Sequence, residues 1–155
     1  MSVQVELTPR AKSAVTLAVM LAAIMQMLDT TIANVALPHM QGALSATQDQ
    51  LAWVLTSYIV ASAIMTLPVG WLSGRYGRKN VFVISIAGFT LTSLLCGAAS
   101  SLNEMIAFRI LQGLFGAALV PLSQAIMLDI NPKEEHGKAM AMWAVSIMIG
   151  PILGP

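Results

Sequence analysis

Charge is scarce in this chain. Asp, Glu, Lys and Arg make up only 10% of its 155 residues, against about 25% in soluble domains. The net charge is +1, which gives no basic field for nucleic acid and no acidic tail. The single cysteine, Cys96, lies in an apolar run, so an intrachain disulfide and a cysteine metal cluster are both excluded. The two histidines, His39 and His136, fall between apolar runs without matching ligands, and no metal site is expected. There is no nucleophile–base constellation, metalloprotease motif or phosphate loop, so neither an enzyme nor a bound cofactor is expected. The stretch Gly70 to Lys79 contains three glycines, but no strand precedes it and the Gly-x-Gly-x-x-Gly spacing is absent, so it is not a nucleotide loop.

Apolar residues dominate instead, at 57%, with a mean hydropathy of +0.77. They come in runs of about 20 residues divided by short polar stretches, which is the pattern of membrane spans. Such runs are too long and too uniformly apolar for barrel strands, and backbone polar groups in lipid must be satisfied within a helix. The reading is an all-α, polytopic membrane helix bundle whose first partner is the lipid bilayer. Residues 1–12 form an N-terminal tail and residues 13–155 the membrane domain, with spans at about 13–37, 51–72, 81–99, 105–128 and 138–155. The eleven methionines lie mostly within spans and read as packing. The first run passes 20 residues without a clear cleavage site, so it reads as a retained span and not a signal peptide. The last run stops at Pro155 with no polar flank, as expected of a chain that continues.

The basic residues orient the bundle. Arg10 and Lys12 precede the first span, Arg75, Arg78 and Lys79 separate the second and third, and Lys133 and Lys138 separate the fourth and fifth. Seven of the eight basic residues therefore fall on one side, which the positive-inside rule makes cytoplasmic, together with the N-terminus.

Two charges then stand out inside spans. Asp29 lies roughly 13 Å from the outer end of the first, and Arg109 roughly 8 Å into the fourth. An ionisable residue at membrane depth is costly and usually faces a partner or cavity. If their helices face one cavity, the two charges offset part of each other's desolvation cost, and a proton on Asp29 removes the attraction and biases one packing state over another. The other readings are a static pair that only holds helices together, and an arginine that snorkels at a lipid edge. Gln112 shares the Arg109 face. Gln112 and Asn34 are either lining for a substrate path or interhelical hydrogen bonds; for Gln26 and Gln124 the second reading is preferred. Between spans two and three, Gly70, Gly74 and Gly77 permit a tight turn, and Arg75 or Arg78 is placed to pair with Asp129 as a cytoplasmic latch, beside its plain role as an inner-face anchor. Gly113, Gly116, Ala117 and Ala118 give span four a small-residue face, and Pro121 is expected to bend it. Gly150, Pro151, Gly154 and Pro155 repeat at four residues in span five and predict close packing with local bends.

Four of these blocks, in order and at matching spacing, carry a resemblance: Leu28 to Pro38, Gly70 to Lys79, Arg109-Ile110-Leu111-Gln112-Gly113, and the Gly/Pro series from Gly150. Together they resemble the N-terminal part of the major facilitator superfamily, in its fourteen-helix drug:proton antiporter branch of multidrug exporters. The likeness covers nearly all of the chain after Lys12. It implies the partial N-terminal half of a major facilitator fold in the inner (plasma) membrane, with alternating access between two bundles. It also implies export of small hydrophobic compounds driven by proton entry, with a periplasmic adaptor as a possible partner. By resemblance, Asp29 and Arg109 are the functional charges, Arg75 and Arg78 belong to the inner gate, and the series at Gly150 opens the antiporter motif. The common family pattern has an acidic residue where this chain has Gly74, so the charge relay of that loop is incomplete. The competing readings are a single-metabolite transporter on the same scaffold, including an importer, and a non-transporting structural bundle. Five spans do not make both halves of an alternating-access machine, so the chain alone is not expected to transport.

Overall fold

The computed structural model describes residues 8–43 and 46–153. The runs fold as helices: α1 (Pro9–Ala43), α2 (Gln48–Tyr76), α3 (Arg78–Ala98), α4 (Leu102–Gly116), α5 (Leu119–Asp129) and α6 (His136–Leu153), with a 3-10 turn at Lys133–Glu135. Among the described residues, four helical stretches are long and apolar enough to cross a membrane, α4 and α5 counting together as Leu102–Asp129. The described part of the fifth expected span, α6, is not among those four.

α1 begins at Pro9, a residue suited to a first helical turn whose amide protons have no intrahelical acceptor, so the helix starts a few residues ahead of the expected span. One expectation is corrected. The segment from Gly70 to Lys79 is not a loop: α2 runs through Tyr76, α3 starts at Arg78, and only Gly77 lies between them. Gly77 alone supplies the turn, at φ +84°, a conformation that favours glycine, whereas Gly70 and Gly74 are helical. Span four is interrupted just before Pro121, the residue expected to bend it. Pro121 has no N–H for the Ala117 carbonyl and its ring crowds that carbonyl, and the helix is interrupted at Ala117–Ala118. Both residues keep right-handed helical dihedrals, so the path continues with a local break in its hydrogen bonding. Pro151, by contrast, lies inside α6, which continues to Leu153. Gly154 and Pro155 lie outside the described residues.

Polar residues set the helix starts. Thr47 accepts from the Gln50 amide while the Gln50 side chain accepts from the Thr47 amide, a capping box at α2. Ser101 accepts from the Glu104 amide at α4. His136 Nε2 faces the Leu128 and Asn131 carbonyls at 3.0 and 3.1 Å. With carbonyls on that side it acts as the donor and satisfies the end of α5.

α4 packs chiefly between α2 and α3, and α1 along α6 and α5. The main core joins Val19, Tyr58, Phe82, Phe89, Leu119, Met127 and Trp143. Leu67, Leu94, Ile64 and Val145 are exposed, whereas Gln26, Ser85, Thr92, Arg109, Gln112 and Ser123 are buried. Apolar groups outside and polar groups between helices suit a bundle whose solvent is lipid. Thr92 satisfies itself on the Gly88 and Phe89 carbonyls, and Trp143 Nε1 donates to Ser123 Oγ at 2.9 Å, tying α6 to α5.

Candidate functional site

Helical spacing puts Gln26, Asp29 and Thr30 on one face of α1, and Arg109, Gln112, Gly113 and Gly116 on one face of α4. Close approach brings the two faces together through their neighbours. A Cβ at Gly113 would lie 2.5 Å from the Tyr58 carbonyl oxygen of α2, and one at Gly116 would lie 3.1 Å from the Tyr58 hydroxyl. Only glycine allows α2 and α4 to cross that closely. On the other side of α1, a Cβ at Gly150 would lie 2.5 Å from Met27 Cβ and 3.1 Å from the Leu28 amide nitrogen, so α6 rests directly on the turn that leads into Asp29.

At the meeting point Arg109 Nη1 donates to Asp29 Oδ2 at 2.7 Å and to Gln112 Oε1 at 2.9 Å. Gln112 Nε2 donates to Asp29 Oδ1 at 2.9 Å. The Gln112 amide orientation follows from its partners, since its oxygen takes the guanidinium and its nitrogen faces the carboxylate. From α3, Ser93 Oγ reaches Asp29 Oδ1 at 3.5 Å and the Cys96 thiol faces Gln112 Oε1 at 3.7 Å. The side chains of Arg109 and Asp29 are 9% and 13% exposed. Asp29, Arg109 and Gln112 therefore share one cluster between helices, with Arg109 buried. Asn34 is not in the cluster. It is exposed, and its amide donates to the Thr30 carbonyl of its own helix at 2.8 Å. Gln26 makes the interhelical bond expected of it, Nε2 to Tyr58 Oη at 3.2 Å.

Sequence reasoning did not single out Tyr58, Ser93 or Cys96 for this site. The signal for α3 was present: Thr92, Ser93 and Cys96 form a short polar stripe in a mostly apolar run that also carries Ser85 and Thr90. Tyr58 carried none, because an aromatic residue in a span reads as packing.

At the end of the bundle that carries the start of α1, Arg78 donates to Asp129, with side chains 50% and 53% exposed. Of the two latch candidates, Arg78 is therefore the one that pairs. The Arg75 guanidinium lies 5.7 Å from the Trp71 ring and 5.9 Å from the Tyr76 ring, a cation–π arrangement. Lys12 pairs with Glu135 at 3.4 Å across α1 and the turn before α6. Half-exposed pairs of this kind contribute about 0–1 kcal/mol each and can be exchanged readily. A desolvated pair such as Asp29–Arg109 costs about 3–5 kcal/mol to break by removing one partner.

Comparison with known proteins fits this arrangement. The chain is 46% identical over 140 residues to the multidrug export protein EmrB of Haemophilus influenzae, covering 90% of this chain and 28% of that protein. It is 44% identical over 141 residues to the probable multidrug resistance protein EmrY of Escherichia coli, covering 91% and 28%. It is 43% identical over 141 residues to the fatty acid resistance protein FarB of Neisseria gonorrhoeae, again covering 91% and 28%. The chain thus spans little more than a quarter of the length of these curated relatives. Among solved structures, a bacterial homolog of the human lysosomal transporter Spinster superposes with a TM-score of 0.85 at 20% identity, covering 95% of this chain and 31% of that one. The xylose transporter XylE of Escherichia coli superposes with a TM-score of 0.79 at 18% identity, covering 92% and 38%. These two likenesses concern the fold alone. The family profile described as Major Facilitator Superfamily matches residues 19–155, and this chain, a multi-pass membrane protein, belongs to that superfamily.

Proposed function

We propose that the chain is the N-terminal part of a proton-coupled exporter of small hydrophobic compounds, working by alternating access in the inner membrane with its N-terminus cytoplasmic. The observation that carries this reading is the buried Arg109–Asp29 pair at 2.7 Å, completed by Gln112. The names of the relatives, multidrug export and multidrug resistance proteins, support export and the substrate class. With Asp29 ionised, the carboxylate neutralises Arg109 and ties α1 to α4. A proton entering from outside neutralises the carboxylate and leaves the guanidinium buried without its counter-ion, which destabilises this packing. A packing in which Arg109 is better solvated then gains population. Release of the proton on the cytoplasmic side restores the pair.

The cytoplasmic gate in this reading is the Arg78–Asp129 pair, hinged at Gly77, with Gly70 and Arg75 on the adjoining end of α2. Its half-exposed pair suits a latch that opens in each cycle, and the absence of an acid at Gly74 leaves Asp129 as the partner of Arg78. Gln112 belongs to the coupling cluster, and Asn34, on the exposed side of α1, lines the substrate path. Gly150 and Pro151 let α6 ride on α1 beside Asp29. A periplasmic adaptor is a further proposed partner.

The test is made on the full-length exporter in proteoliposomes, following substrate flux and internal pH together. An imposed proton gradient drives efflux of several unrelated hydrophobic cations. Asp29→Asn and Arg109→Ala abolish the gradient-driven component, while Asp29→Asn retains gradient-independent substrate exchange. Unchanged coupling in both variants defeats the assignment, and movement of a single polar solute only defeats the drug reading.

A further inference from the structure

Two buried polar atoms beside the ion pair lack a hydrogen-bond partner among the described residues, and they are complementary: the acceptor Gln26 Oε1 and the donor Arg109 Nε. Gln26 is 8% exposed and Arg109 7%, so water does not freely satisfy either, and an unsatisfied buried group is costly. Gln26 precedes Asp29 by three residues, and side chains at that spacing stand about 5–6 Å apart on one helix face. Asp29 in turn holds Arg109 at 2.7 Å. The other end of the Gln26 amide is fixed, since Nε2 donates to Tyr58 Oη at 3.2 Å. Tyr58 itself is held against Gly116 of α4. The amide oxygen is thus left without a partner on a side chain one turn before Asp29.

We infer that Gln26 is a positioning residue for coupling, the neutral acceptor that takes the Arg109 guanidinium when Asp29 carries a proton. This rests on the proton-coupled reading above. A proton adds to the Asp29 carboxylate, Arg109 keeps its charge throughout, and its donors pass from a carboxylate to an amide oxygen one turn away. Without such an acceptor, protonation of Asp29 strands a buried cation. With it, the protonated state is reachable inside the bundle, and Gln26 sets the pH at which coupling occurs. Tyr58 holds the amide in the receiving orientation. Few other groups compete at this position. Facing Asp29 are Arg109 and Gln112 from α4, Ser93 and Cys96 from α3, and Tyr58 from α2. α5 and α6 place their charged and titratable groups, Asp129, His136 and Lys138, at the opposite end of the bundle.

The experiment uses the full-length exporter, with coupled efflux of a hydrophobic cation recorded against pH. Gln26→Met keeps the length and removes the acceptor. The protonated state loses a hydrogen bond to a charged group, so protonation becomes harder and the midpoint moves toward acid by about one to two pH units. Tyr58→Phe gives a smaller shift in the same direction. A second readout is thermal: Gln26→Met lowers the melting temperature more in the Asp29→Asn background, where Arg109 already needs the amide, than in the parent. If Gln26→Met does not reach the membrane, Gln26→Asn, with its amide drawn back by one methylene, gives the same acid shift. An unchanged midpoint, or additive melting effects, overturns the proposal. Asp29→Asn alone separates the two levels. If it keeps the parent's pH dependence, the coupling reading fails; if that dependence is lost but the Gln26→Met profile overlies the parent's, only the role of Gln26 fails.

Discussion

Replacing Gly113 by alanine in the full-length protein sets two effects of opposite sign against each other. Alanine is the better helix former by up to about 1 kcal/mol, so at an open position the change stabilises. At Gly113 the new Cβ would meet the Tyr58 carbonyl oxygen at 2.5 Å, Ala61 Cβ at 3.0 Å and the Ser62 amide nitrogen at 3.2 Å. Two of those atoms are backbone and cannot rotate away, so α2 and α4 must part by about 0.9 Å to reach ordinary contact near 3.4 Å. Overpacking of this kind costs about 1–3 kcal/mol, which offsets or exceeds the propensity gain and leaves a net loss of about 0–2 kcal/mol. The displacement also reaches the site. Arg109 lies one turn before Gly113 on the same helix, so a shift of α4 also disturbs its 2.7 Å bond to Asp29 on α1. The assay is the melting temperature of purified protein in detergent, paired with gradient-driven efflux. Gly97→Ala serves as control, because a Cβ there meets nothing within 4 Å. Gly113→Ala melts lower and loses coupled transport, while Gly97→Ala melts at the parent temperature or above it. Equal melting of the two variants, with transport intact in Gly113→Ala, refutes the reasoning that backbone proximity governs this crossing.

The two ion pairs should differ sharply in a double-mutant cycle followed by denaturation. Removing either partner of Asp29–Arg109 costs about 3–5 kcal/mol and the double variant costs less than the sum, whereas the coupling of Arg78 to Asp129 stays below about 1 kcal/mol; comparable couplings would contradict the assigned burial. Trp143→Phe loses the indole bond to Ser123 along with core volume and destabilises by about 1–3 kcal/mol. Trp53→Phe, at an exposed position, stays within about 0.5 kcal/mol, and a reversed order in their melting temperatures would count against the α5–α6 packing described.

The helices, the side of the bundle that gathers the basic residues, and the similar depth of Asp29 and Arg109 were legible in the sequence because each follows from a one-dimensional quantity. Run length marks a span, the loops group the charges on one side, and residue count from a span end gives depth. The same arithmetic misjudged helix ends, because hydropathy falls before the backbone leaves the helix: Ser73 to Tyr76 are polar in character yet helical. It also could not choose between Arg75 and Arg78 for Asp129, since the two lie on either side of the Gly77 turn, one at the end of α2 and one at the start of α3, and residue counting does not give their directions.

The amino-acid order by itself determined that this chain is a membrane helix bundle with one acid and one cation at similar depth within its spans, because run length and residue count are read along the chain. Only the tertiary structure decided that the two are buried against each other, and what surrounds them. Which glycine turns the chain, which helix approaches within van der Waals distance of Tyr58, and which end of the Gln26 amide is left open depend on the rotation of each helix about its axis. That rotation is set by packing between residues far apart in sequence, such as Gly113 against Tyr58 and Gly150 against Met27.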